Sequence, residues 1–176
     1  MRHYTGAECV GQDGFDAILL AASCFSGVID FLNESVSMRR TMPAIAKNHP
    51  LNAAYGDLHK LFLRYAPPFK AAAGRIRGKS DLHLIVPKAV AIPGAYGGKP
   101  VDVAMASLVL QKAYVGFYFM PIYMDPKLRG KLPPRLTKLL KGKSCFHITK
   151  LDDDLLDDIE IALNAGVKCF RGRGWV

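Results

Sequence analysis

Two apolar runs with a two-residue gap constrain this chain more than any other feature. "VDVAMASLVL" (101–110) and "AYVGFYFM" (113–120) are parted only by Gln111-Lys112. Runs of this length, rich in Val, Phe and Tyr, read as strands, and so short a connection makes them antiparallel neighbours in a hairpin. On the second run, a period of two puts Tyr114, Tyr118 and Met120 on one face and Val115, Phe117 and Phe119 on the other. One face must pack on helices, while the other meets a groove or water.

The flanking sequence supplies those helices. Leu51, Ala54, Tyr55, Leu58, Leu61, Phe62 and Tyr65 recur at helical spacing, and Pro67-Pro68 stops the pattern. Leu155, Ile159, Leu163, Val167 and Phe170 make the stripe of a closing helix. Asp152 is its expected cap, and Asp153 and Asp154 fall in the first turn, where the helix dipole favours acids. Gly166 weakens this helix without ending it. Between these, "DLHLIVP" (81–87) and "SCFHI" (144–148) read as strands. Pro133-Pro134 opens a short helix "RLTKLLK" that Gly142 ends. Residues 69–80 and 88–100 read as loops. The order predicts an α+β fold, a small antiparallel sheet covered by helices.

Residues 1–47 stand apart as an N-terminal extension. The uncharged stretch 17–29 is too short for a bilayer, which needs about 20 apolar residues. It also lacks the basic start and cleavage site of a signal peptide. It reads as an amphipathic or partly buried helix, with Ser37–Pro43 as a linker. Met38 and Met42 precede the better-patterned part, so residues 1–37 are also read as a candidate start-codon artefact. Cys9, Cys24, Cys145 and Cys169 show no CxxC spacing. Nothing marks secretion, and reduced thiols in a cytoplasm are the expectation.

Charge narrows the partners. The formal net charge is +9, and residues 48–151 hold 17 bases against four acids. Such a field favours anionic partners. Lys127, Arg129, Lys131, Arg135, Lys138, Lys141 and Lys143 form a run without an acid, so nucleic acid is one candidate, with the tyrosines available to stack bases. The plainer reading is a soluble basic surface.

Chemical constellations are few. Cys145 and His147 share a strand face but stand roughly 7 Å apart, too far for a nucleophile–base bond. Zinc would need further ligands such as His83 or His59, and no zinc-site spacing is present. "GAYGGKP" fails the phosphate-loop pattern, because Pro93 occupies the first glycine position and Pro100 follows Lys99. Asp154, Asp157 and Asp158 converge on one helix surface and are the candidate metal ligands; the alternative is a solvated helix start. An enzyme would need an acid–base pair, and the sequence offers none.

"GDLHKLFLRYAP" (56–67) and 108–163, with "FMPIYMDP" (119–126) and "KGKSCF" (141–146) as the most specific parts, resemble the YdhG-like family of bacterial domains of unknown function. The similarity covers about residues 48–176. It implies a small frataxin-like α+β sandwich. It also raises iron as a cargo, since some members are described as iron chaperones. Frataxins hold iron with acids on the first helix and the adjoining strand. Here that helix offers only Asp57, against Lys60 and Arg64, and the acidic helix is the last one. The resemblance transfers no catalytic residue. A non-enzymatic cytoplasmic module for a small ligand or a partner protein is therefore expected, with no resident cofactor. Its candidate surface is Tyr114, Tyr118 and Met120, rimmed by Tyr123, Lys127, Lys143 and His147, a cation-bordered aromatic face suited to an anionic or aromatic ligand.

Overall fold

The computed structural model describes residues 50–92 and 94–176. The extension 1–47, its expected helix at 17–29 and the Ser37–Pro43 linker lie outside the described residues. The chain divides into two units. One contains Ala91–Pro100; in the other, Pro50–Val90 and Val101–Val176 are described.

The larger unit is α+β. Helix α1 is Pro50–Leu63, followed by β1 (Lys70–Ala73) and β2 (Asp81–Ile85). Two-residue strands, β3 (Val90–Ala91) and β4 (Pro100–Val101), form a separate ladder. Next come β5 (Ala104–Leu110), β6 (Val115–Phe119), the single turn α2 (Pro121–Met124) and a 3-10 segment, Pro126–Lys131. Helix α3 (Pro134–Lys138), β7 (Leu140–Lys141), β8 (Cys145–Ile148) and α4 (Asp153–Gly172) complete it. Six strands pair antiparallel in the order β1-β2-β5-β6-β8-β7.

One face of this sheet is the core. The register aligns Leu82, Leu108, Phe117 and Phe146 across four strands, and Phe119, Val115 and Ile148 share their side. Phe117 lies 5.6 Å from Phe119 and 5.3 Å from Phe146, ring centre to ring centre. Helix α1 meets them through Phe62, edge-on to Phe117 at 5.9 Å. Burying each such side chain contributes about 1.5–3 kcal/mol, so this layer supplies most of the cohesion. Helix α4 buries its expected stripe, Leu155, Ile159, Leu163, Val167 and Phe170. Gly166 lies against the sheet as well: a Cβ there would stand 2.7 Å from Met105 Sδ and 2.8 Å from the Phe119 ring. The two helices are joined on their outer side by Arg64–Glu160 (2.9 Å) and by the Tyr65 hydroxyl, which donates to Asn164 Oδ1 (3.0 Å). Burial, then the Glu160 charge, pushes the Tyr65 hydroxyl pKa up to about 12, so it remains a donor at neutral pH.

Several local expectations change. "KAAA" at 70–73 is a strand, because β2 is an interior strand and its outer edge needs a partner; residues without β-branching masked it. The hairpin turn is longer than two residues: Leu110 pairs with Val115, and the Gln111 amide donates to the Tyr114 carbonyl. Met120 leaves the strand and starts α2. The short helix stops at Lys138. Gly142, at φ +75°, turns β7 into β8 instead of ending a helix. Within its own unit, the segment 91–100 folds locally through Gly98 N–H to Ala95 O (3.0 Å) and Lys99 N–H to Tyr96 O (3.2 Å).

Asp152 caps α4 as expected, accepting from the Leu155 amide at 3.0 Å. That hydrogen bond and Arg135 hold its carboxyl below the usual range. Asp152→Ala removes the cap and the Arg135 pairing together. A fall of about 2–4 °C in Tm is expected, readable by circular dichroism.

Candidate ligand-binding face of the sheet

The strand parity that sends Phe117 and Phe146 into the core sends their neighbours to the opposite face. Two rows result there. One runs His83, Ser107, Tyr118, Cys145; the other runs Asp81, Val109, Gly116, His147. The two rows differ in exposure along their length. His83, Ser107 and Asp81 are buried, whereas Tyr118, Cys145 and His147 are half-buried.

At the half-open end the aromatic rings gather. Tyr114 and His147 stack at 3.7 Å with only 10° between planes. Gly116 lies beneath them: a Cβ there would sit 3.0 Å from Tyr118 Cε2 and 3.5 Å from Tyr114 Cε2. Glycine at this register position therefore lets both tyrosine rings lie down on the sheet. Burial, and then the neighbouring Cys145, raises the Tyr114 pKa, so its hydroxyl stays neutral.

At the buried end stands a hydrogen-bonded chain that the sequence reading missed. His83 Nε2 is 2.8 Å from Asp81 Oδ2, and His83 Nδ1 is 2.8 Å from Ser107 Oγ. Asp81 also accepts the amides of Gly74 (2.7 Å), Arg75 (2.9 Å) and Ile76 (2.9 Å). An ionised Asp81 can only accept, so His83 Nε2–H is the donor of that bond, and Nδ1 faces the serine hydroxyl. The order resembles a nucleophile–base relay, but Ser107 is only 4% exposed and Asp81 is saturated by backbone donors. What the arrangement does is fix the loop that follows β1. The visible signal was Asp81 and His83 at i, i+2 on one strand; the Ser107 partner depends on strand register.

The seven predicted face residues do not form one cluster. Tyr114, Tyr118 and His147 come together. Tyr123 and Lys143 sit at the other end of the strands, with the ammonium 6.0 Å from the ring centre. Met120 is half-buried at the start of α2, and Lys127 is exposed, its amide donating to Asp125. The basic run 127–143 spreads over the 3-10 segment, α3 and β7. Within it, Arg135 is paired with Asp152 and Asp154. Asp154 is thus engaged by Arg135 at 3.1 Å, while Asp157 is exposed and Asp158 half-buried. Among the described residues, no group of three or more His, Cys, Asp or Glu side chains forms a metal site. No described helix is long and apolar enough to cross a membrane.

Compared with protein-family models, curated proteins and solved structures, the chain matches none.

Proposed function

We propose that the chain is a YdhG-like, non-enzymatic, cytoplasmic binding module, and that its ligand is planar and anionic. The observation that carries this reading is the Tyr114–His147 stack, with Tyr118 beside it over Gly116, on the half-exposed face of the sheet. Rings held on strands and on the tight turn beside them lose little entropy when a planar group lies on them, and stacking on such rings contributes about 1–3 kcal/mol. The excess of bases in residues 48–151 supports an anionic partner. The α+β sheet agrees with the fold expected of the family. A non-enzymatic role is supported by the use of His83 and Asp81 as internal ties. Iron has weaker support, because Asp154 is engaged by Arg135.

A thermal-shift series with nucleoside monophosphates, flavin mononucleotide and aromatic carboxylates tests the reading, since a ligand that prefers the folded state raises Tm. At least one of these is expected to stabilise the protein. Tyr114→Ala is expected to weaken its binding about 5- to 100-fold. If no planar anion shifts Tm, or if Tyr114→Ala responds like the parent, the reading is wrong.

A further inference from the structure

We infer that the occupant of the aromatic face is single-stranded nucleic acid, with its bases on Tyr114, Tyr118 and His147 and its phosphates on Arg75, Arg77 and Lys79. This rests on the reading of the face as a site for a planar anion and specifies the ligand.

The placement of the loop between β1 and β2 carries the inference. Residues 74–80, "GRIRGKS", expose three cationic side chains. Their backbone is held from within by the Asp81 carboxylate on three successive amides. The Lys79 amide closes the loop on the Ile76 carbonyl at 3.1 Å. The loop is then joined to the hairpin that bears Tyr114. The Leu110 amide donates to Ser80 O (2.8 Å), the Lys79 ammonium donates to Gln111 Oε1 (2.8 Å), and Gln111 donates to Tyr114 O (2.9 Å). The cations, on the loop joining β1 and β2, and the stack, at β6 and β8, therefore lie toward the same end of the strands.

The stretch that carries the loop and the hairpin is poor in acids. Between Leu58 and Met124 the acids are Asp81 and Asp102 alone. Asp81 is buried and occupied. Asp102 precedes β5, at the opposite end of the strand from Gln111. In the basic run 127–143, Arg135 is already paired with Asp152 and Asp154.

The spread of rings and cations over several strands and a loop favours a polymer over a monomer. Enclosed small-molecule sites are concave. Two grooves in the described structure, one lined by residues such as Leu128, Lys168 and Cys169 and the other by Lys60, Arg64 and Asp153, lie off this face. Several rings with cations nearby are how proteins hold successive bases and their backbone.

Fluorescence anisotropy with a labelled 12-nucleotide mixed-sequence RNA, with AMP titrated in parallel, tests the inference. Binding at low salt is expected, weakening about tenfold or more between 50 and 200 mM salt. Arg75→Ala/Arg77→Ala/Lys79→Ala is expected to cost at least tenfold in affinity and to flatten the log–log salt slope by about 2, at roughly 0.7 per phosphate. Lys127→Ala/Arg129→Ala/Lys131→Ala is expected to leave both near the parent values. Arg77→Ala alone, expected to flatten the slope by about 0.7, repeats the measurement with one exposed side chain changed. No RNA binding at low salt, or loss in the second triple variant and not the first, overturns the inference. If AMP binds in a Tyr114-dependent way while RNA does not, the planar-anion reading stands and this one falls; if neither binds, both fall.

Discussion

Asp81→Ala is expected to lower stability by about 2–3 kcal/mol, the range for removing a charged acceptor and leaving a buried donor unsatisfied. The Asp81 side chain is fully shielded from solvent and accepts from His83 and from three amides. Gly74 and Arg75 are exposed residues, so their amides regain water when the carboxylate is gone. His83 is 1% exposed and cannot, so the loss concentrates on the imidazole. Asp81→Asn, which keeps an acceptor but presents an amide donor, is expected to lose about half as much. Burial by itself would push the Asp81 carboxyl up. The hydrogen bonds from His83 and from the Ile76 and Gly74 amides outweigh burial and hold it below its ordinary value. Because the folded pKa lies below the unfolded one, the stabilisation is fully present above about pH 4 and is lost as pH falls below that. Urea denaturation at pH 7, 5 and 3 reads it. The parent is expected to lose more stability than Asp81→Asn between pH 5 and 3. Equal losses would mean that the carboxylate is not the group being titrated.

This buried chain marks the limit of what the sequence displays. Period two in 113–120 announces that Val115, Phe117 and Phe119 go inward, because one face of a strand must leave water, and all three are fully buried. The stripe from Leu155 to Phe170 announces α4 for the same reason at period 3.6. Cys145 and His147 are correctly placed on one face, since parity is local. Register is not local. Ser107 meets His83 only because β2 and β5 align as they do, with a shift at Leu84/Ile85 that no residue pattern signals. The candidate site divides along the same line. Tyr114, Tyr118 and Tyr123 look equivalent in the sequence, yet Gly116 gathers the first two with His147, while α2 carries Tyr123 to the far end. The strand at 70–73 escaped notice because it exists to satisfy the backbone edge of β2, a need its own alanines do not express.

Gly166→Val is the second large effect, and its sign opposes the helix-propensity argument. In an isolated helix, replacing glycine by a residue with a side chain is favourable, by up to about 1 kcal/mol for alanine and less for valine. In α4 the added Cβ would meet Met105 Sδ at 2.7 Å and two Phe119 ring atoms at 2.8 and 3.0 Å. Met105 can swing its sulfur aside. Phe119 cannot easily follow, being fully buried, with Phe117 5.6 Å away. Overpacking of this kind costs about 1–3 kcal/mol, and the γ-methyls of valine place it at the upper end. A net loss of about 2–3 kcal/mol is expected, a fall in Tm of about 4–12 °C for a chain of this size. Gly166→Ala should lose about 1 kcal/mol, with propensity partly offsetting the contact. A double-mutant cycle isolates the cause. Met105→Ala is itself destabilising, but combined with Gly166→Val it should cost less than the two single changes added together, because the methyls enter the space the thioether leaves. Strict additivity, or a Gly166→Val protein as stable as the parent, would show that α4 does not rest on β5 and β6 at this glycine.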